Sequence, residues 1–212
     1  MKNIKKGMGF IVLAMTLILT IVVYLFDVSI VQLVEGLRTN ILDFLFLGIT
    51  FASNGFIIFF FLTTLFLWRE HKRRWIIPLW FSSFLSILVS YVLKSWVHRL
   101  RPFQEGFVSV LAIVFNLMKD NFNTWNFSFP SFQAMLVFSA LPLLNKQFKK
   151  FRYIWFIFAC LVAFSRVYFG VHYLSDVMAG AIIGYLIGLI MVKVEEKYSI
   201  GQKVMKKLKI GR

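Results

Sequence analysis

MGFIVLAMTLILTIVVYLF, residues 8–26, is an uncharged run of 19 residues with Lys2, Lys5 and Lys6 just ahead of it. A helix needs about 20 such residues to cross the hydrocarbon core of a bilayer. The run exceeds the apolar part of a secretory signal, and no small-residue cleavage site follows it, so it reads as an uncleaved first transmembrane helix. Comparable runs recur near 44–68, 75–93, 131–145, 154–169 and 173–192. The pattern predicts an all-α polytopic membrane protein of six transmembrane helices, one membrane domain over residues 1–212. The fourth and fifth runs are short and need support from neighbours, and Pro142 is expected to kink or stop the fourth.

Composition agrees. Of the 212 residues 59% are hydrophobic and only 16% are charged, too little polar surface for a soluble domain of this length. The net charge of +15 would suggest nucleic acid in a soluble chain. Here the basic residues sit in short clusters between apolar runs, which marks topology and excludes nucleic acid as a partner. Lys2, Lys5 and Lys6 precede the first helix. Arg69, Lys72, Arg73 and Arg74 separate the second from the third, and Lys146, Lys149, Lys150 and Arg152 the fourth from the fifth. A polybasic tail over 193–212 follows the sixth. These clusters hold 18 of the 24 basic residues, all on one side, and the positive-inside rule makes that side cytoplasmic, with both termini there. The tail reads as a solvated stop signal against anionic lipid. The lone cysteine, Cys160, lies in an apolar run and reads as a small packing residue.

Six basic residues remain on the outer side: Arg38, Lys94, Arg99, Arg101, Lys119 and Arg166. Charge at the membrane boundary without topological purpose is a functional candidate. Lys94 ends the third helix. If the helix continues, Arg101 lies two turns further along the same face, before Pro102 ends it. A Lys point charge and an Arg fork can hold one phosphate between them, although basic residues also snorkel at helix ends. Pro130 and Ser131 open the fourth helix, where free backbone N–H groups and a hydroxyl make an anion site. Between the fifth and sixth helices come Ser165, Arg166, His172 and Asp176. His172 and Asp176 are four apart and are expected to share one helix face. Asp176 would then orient the imidazole and leave its other nitrogen free as a nucleophile. All three segments fall on one membrane face. Two Arg, a Lys, a Ser and a His–Asp pair suit phosphoryl transfer without a metal or other cofactor.

These segments resemble the three signature motifs of the type 2 phosphatidic acid phosphatases. Lys94 to Pro102 matches the first, Lys-(six residues)-Arg-Pro, and Ser165 to Asp176 matches the third, Ser-Arg-(five)-His-(three)-Asp. The resemblance implies that His172 attacks phosphorus and forms a phosphohistidine, oriented by Asp176. It implies that Lys94, Arg101, Arg166 and Ser131 bind the phosphate, and that water releases it. The second motif departs: the family has Pro-Ser-Gly-His, and this chain has Pro130-Ser131-Phe132-Gln133. The missing histidine is the family's general acid, and glutamine cannot replace it at neutral pH.

Three expectations follow. A lipid diphosphate leaves as a phosphate monoester with a second pKa of about 6 and needs little acid help. An alkoxide leaving group would lose an acid contribution of roughly 10²–10⁴-fold. This favours a polyprenyl diphosphate, such as the undecaprenyl carrier, over a phosphatidate. Alternatively His98, four residues after Lys94, supplies the proton. In the third case catalysis is lost and the chain binds lipid phosphates or a partner. A phosphotransferase is a close variant. The expected setting is a cell membrane, with the site on the extracytoplasmic side. The compact chain points to a bacterial source, and oligomeric state is left open.

Overall fold

In a computed structural model, residues 2–107 and 126–208 are described; Lys119, Lys209 and Arg212 lie outside them. The described residues form helices and no strand. In chain order these are α1 (Lys2–Leu25), α2 (Asp27–Gly36), α3 (Asn40–Ala52), α4 (Gly55–Leu67) and α5 (Ile76–Val97). They continue as α6 (Phe132–Gln147), α7 (Arg152–Tyr168), α8 (Leu174–Tyr198) and α9 (Ile200–Lys207). Short 3₁₀ helices cover Glu70–Trp75, Pro102–Glu105 and Lys149–Phe151.

Large apolar side chains face outward. Leu25, Phe44, Phe51, Phe56 and Trp68 are each 75–82% exposed, a surface that suits lipid and not water. Among the described residues three helical stretches are long and apolar enough to cross a membrane: Glu70–Glu105, Lys149–Tyr168 and Leu174–Tyr198. The count rises to five if each of two bent pairs is one span. One pair is Leu13–Leu25 with α2, bent by 73°; the other is α3 with α4, bent by 61°. The expected single helix over 44–68 is therefore broken. Asn54 ends α3 by capping α4, its side chain accepting from the Phe56 N–H at 3.0 Å.

The fourth expected span, near 131–145, corresponds to α6, which at 16 residues falls short of a full crossing. Ten of those residues are buried, so its neighbours shelter it from lipid. It runs unbroken through Pro142, contrary to expectation. Gly188 of α8 has no side chain there, and a Cβ would lie 2.9 Å from the Pro142 ring, so the ring packs where that side chain would be. The same contact repeats along the helix. A Cβ on Gly180 would stand 2.5 Å from the Ser131 carbonyl, and one on Gly184 2.1 Å from that of Met135. Three glycines at four-residue spacing thus let α8 lie directly on the α6 backbone.

The opposite end is closed by α9, formed within the polybasic tail that was expected to be a solvated stop signal. The buried Glu195 carboxylate accepts from the N–H groups of Gly201 at 2.7 Å and Gln202 at 3.3 Å, capping α9. Gly201 lies against the Arg74 carbonyl, and Met205 is buried beside Trp75 and Ile76 in the core cluster at this end. The chain therefore alternates, with the ends of α5 and α7 and the starts of α6 and α8 gathered at one pole. The basic clusters Arg69–Arg74 and Lys146–Arg152 and the α9 lysines Lys203, Lys206 and Lys207 lie at the other.

Candidate functional site

Helix α5 stops at Val97 because His98 takes the left-handed conformation (φ 50°) and its N–H returns to the Lys94 carbonyl at 3.3 Å. The expected continuous face from Lys94 to Arg101 does not form, and His98 shares no helical stripe with them. His98 is exposed, with its ring edge-on to Phe127 at 4.5 Å. Lys94 and Arg101 still converge, by different routes. Lys94, 1% exposed in the last turn of α5, donates to the carbonyls of Phe127 and Ser128. Arg101, 3% exposed, has the extended backbone expected before proline. Its Nε donates to the Asn126 carbonyl at 3.0 Å and its Nη1 to that of Val171 at 2.8 Å.

Arg166 sits in the last turn of α7 and its carbonyl accepts from the N–H groups of Val171 and His172 at 3.1 and 3.2 Å. Gly170 (φ 61°) permits that tight reversal. Ahead of α8, His172 is held in this loop, so it does not share a helix face with Asp176. The helix starts two residues later because Asp176 accepts the Tyr173 N–H at 2.9 Å, one half of a capping box. His172 Nδ1 is 3.9 Å from Asp176 Oδ2, beyond hydrogen-bond reach. The Ser128 hydroxyl fills the gap: it donates to Asp176 Oδ2 and stands 3.4 Å from His172 Nδ1.

The other ring nitrogen, Nε2, is 3.2 Å from Arg101 Nη1. An arginine can only donate, so Nε2 carries the lone pair and Nδ1 the proton. Burial, together with the charges of Arg101, Lys94 and Arg166, holds the His172 pKa well below the ordinary imidazole value, so the ring is neutral. The arrangement can present an unprotonated nitrogen among three cationic side chains in a water-poor site. Two buried polar atoms, Arg166 Nε and Ser131 Oγ, have no hydrogen-bond partner among the described residues, so both are available to a ligand.

Ser131 stands at the N-cap position of α6, without a side-chain cap bond, and donates its N–H to the Asp176 carbonyl at 3.1 Å, tying the second segment to the third. Phe132 turns away toward Gly55 of α4, and Gln133 is half-buried in the first turn of α6. Among the described residues no three of His, Cys, Asp and Glu converge as metal ligands.

Three site neighbours were not anticipated. Ser128 was hidden in an aromatic stretch, two residues before Pro130. Arg99 reads in the sequence only as a basic residue on the outer side. Its Nη1 bonds Asp176 Oδ1 at 2.7 Å and Ser175 Oγ at 2.8 Å, and its Nη2 bonds Asp27 Oδ2 at 2.8 Å. Asp27, 2% exposed, was available as a signal: a lone carboxylate directly after a membrane-length apolar run.

Phosphatidylglycerophosphatase B of Bacillus subtilis (strain 168) is 31% identical over 121 residues, 52% of this chain and 53% of that one. Undecaprenyl-diphosphatase of Sulfolobus acidocaldarius is 34% identical over 134 residues, 63% of this chain and 61% of that one. The chain thus spans between half and three-fifths of the length of these curated relatives. The crystal structure of a PAP2-type phosphatidylglycerolphosphate phosphatase from Bacillus subtilis shares the fold. Its TM-score is 0.68 at 24% identity, over 87% of this chain and 94% of that one. The PAP2 superfamily model matches residues 75–199, the stretch from α5 to the end of α8 that holds Lys94, Arg101, Ser131, Arg166, His172 and Asp176, and the chain belongs to that superfamily.

Proposed function

We propose that this protein is a lipid phosphate phosphatase that works through a phosphohistidine on His172 without a metal, with a polyprenyl diphosphate as the favoured substrate. The observation that carries the reading is the neutral, buried His172, its Nε2 turned toward Arg101 and its Nδ1 toward Ser128 and Asp176. In the proposed first step the Nε2 lone pair forms a bond to the terminal phosphorus. The bridging P–O bond breaks, and its electron pair leaves on the lipid monophosphate. Lys94, Arg101 and Arg166 hold the phosphoryl oxygens, with Ser131 and the start of α6 beside them. Asp176, through Ser128, keeps the Nδ1 proton in place as the ring becomes cationic. In the second step water adds to phosphorus, the P–N bond breaks, and inorganic phosphate is released.

The leaving group supports the choice of lipid. Gln133 stands where a general acid would, and a phosphate monoester leaves without one more readily than an alkoxide. The two curated relatives are named for phosphatidylglycerophosphate and undecaprenyl diphosphate, and this argument favours the diphosphate. An apolar cavity of about 770 Å³ between α1 and α8 supports an amphiphilic substrate. Leu17, Ile21, Ala179 and Ile183 line it, and Arg99 and Ser175 form its polar end. We further propose one membrane domain of six passes with both termini cytoplasmic and the site outside. The separation of the site from the basic clusters, at opposite ends of α5 to α8, supports this orientation.

A second reading, a lipid-phosphate binder with impaired catalysis, is favoured only by Gln133. Phosphate release by the purified protein in detergent with chelator separates the two. Undecaprenyl diphosphate, phosphatidylglycerophosphate and phosphatidic acid are compared, with His172→Ala as control. Release from the diphosphate alone, absent in the control, is expected. Release from none, unrestored by Gln133→His with Phe132→Gly, would move the assignment to binding.

A further inference from the structure

Arg99 and Asp27 form a charge chain that ends on the residue orienting the nucleophile. Arg99 grips Asp176 Oδ1 at 2.7 Å, while Oδ2 of the same carboxylate takes the Ser128 hydroxyl and the Tyr173 N–H. Asp176 is therefore fixed through both oxygens, and Arg99 is its one charged contact on the Oδ1 side among the described residues. Arg99 is itself clamped. Its guanidinium lies 4.0 Å from the Tyr173 ring centroid and 4.8 Å from that of Tyr24. Its second fork bonds Asp27 Oδ2 at 2.8 Å. Asp27 also receives the Ser175 N–H at 3.0 Å and the Ser175 hydroxyl, so it sits at the N-terminus of α8, where a carboxylate is favoured.

Tyr24 and Asp27 flank the 73° bend between α1 and α2, ahead of the family-matched stretch that begins at Trp75. A buried ion chain is not justified by stability alone, since two carboxylates and one guanidinium lose much hydration when buried. It does fix geometry. We propose that Asp27 and Arg99 are positioning residues for the reaction: the bend between α1 and α2 holds Arg99, Arg99 holds Asp176, and Asp176 with Ser128 holds His172. The N-terminal helices are then part of the active-site support. This inference rests on the phosphohistidine reading above.

The test is rapid-quench measurement of phosphohistidine formation in the full-length protein with labelled undecaprenyl diphosphate, alongside steady-state kcat and KM. The variants are Asp27→Asn, Asp27→Glu, Arg99→Lys and Arg99→Gln. Small displacements of catalytic groups reach roughly 10²-fold in rate. Arg99→Gln is expected to approach that loss, Asp27→Asn to lose about 10-fold, and the two conservative variants to lose less. The single-turnover rate constant of phosphoenzyme formation and kcat should fall in Asp27→Asn while the fraction of sites that can be phosphorylated holds. Arg99→Gln leaves Asp27 and Asp176 without their shared cation and can fail to fold, so Asp27→Asn carries the decision. An unchanged rate constant per active site in Asp27→Asn, with only yield or amplitude reduced, would make the chain a structural anchor and overturn the proposal. A wild type with no His172-dependent phosphoenzyme fails differently: it removes the phosphatase reading and this inference together.

Discussion

His172 meets its surroundings through two ring nitrogens with opposite roles, and burial decides its charge. A neutral ring in the fold and an ordinary imidazole in the unfolded chain differ in proton binding. The folded pKa lies below the unfolded one, so the unfolded state binds more protons once pH falls under about 6.5. Stability associated with His172 is therefore present above that pH and is lost progressively below it. Thermal melts of wild type and His172→Gln in detergent from pH 7.5 to 5 test this. The wild type should lose more stability on acidification than the variant; parallel curves would mean that folding does not lower the pKa of the ring. Sequence supplied the residue types here: Lys94, Arg101, Ser131, Arg166, His172 and Asp176 stand out as charge or hydroxyl at one membrane face. Their contacts were not legible. Spacing suggested a direct His172–Asp176 bond, whereas the chain places Ser128 between them, because Asp176 is also engaged as a helix cap.

At the scale of elements, α6 and α8 form the packing unit on which the site depends. Gly180, Gly184 and Gly188 place the α8 backbone against Ser131, Met135 and Ser139. That approach in turn lets the Ser131 N–H reach the Asp176 carbonyl. Gly184→Val must push the helices apart, since a Cβ alone would stand 2.1 Å from the Met135 carbonyl oxygen. We expect a loss of about 3 kcal/mol or failure to fold. Gly48, which has nothing within 4 Å of an added Cβ, should accept alanine with little change in the melt. Equal effects at the two glycines would refute close packing as the role of Gly184. The glycine spacing was present in the sequence but has meaning only when a partner helix is identified. The breaks at Phe26 and Ser53–Asn54 were less legible, because hydropathy averages across a bend.

For the whole molecule, the proposed orientation has an observable consequence. Single cysteines in a Cys160→Ser background can replace Leu100, 48% exposed beside the site, or the exposed Lys203 on α9. A membrane-impermeant maleimide applied to intact cells should label the first and reach the second only after permeabilisation. The reverse pattern would place the site in the cytoplasm. The asymmetry behind this prediction is plain in the sequence, where 18 of 24 basic residues fall in four clusters. Crossing number is less plain, because α6 is short and shielded by its neighbours.

The sequence by itself determined that this is a helical membrane protein and singled out the residues of the candidate site. Hydropathy and charge clustering are local properties, and motif spacing survives without knowledge of contacts. Only the tertiary structure decided which oxygen of Asp176 meets which donor, that Ser128 lies between Asp176 and His172, and that Asp27 reaches Asp176 through Arg99. The links of Ser128 to His172 and Asp176, and of Arg99 to Asp27 and Asp176, join residues 44 to 77 positions apart. No local pattern encodes them; they arise when glycine-lined helices close on one another and buried polar groups take the partners within reach.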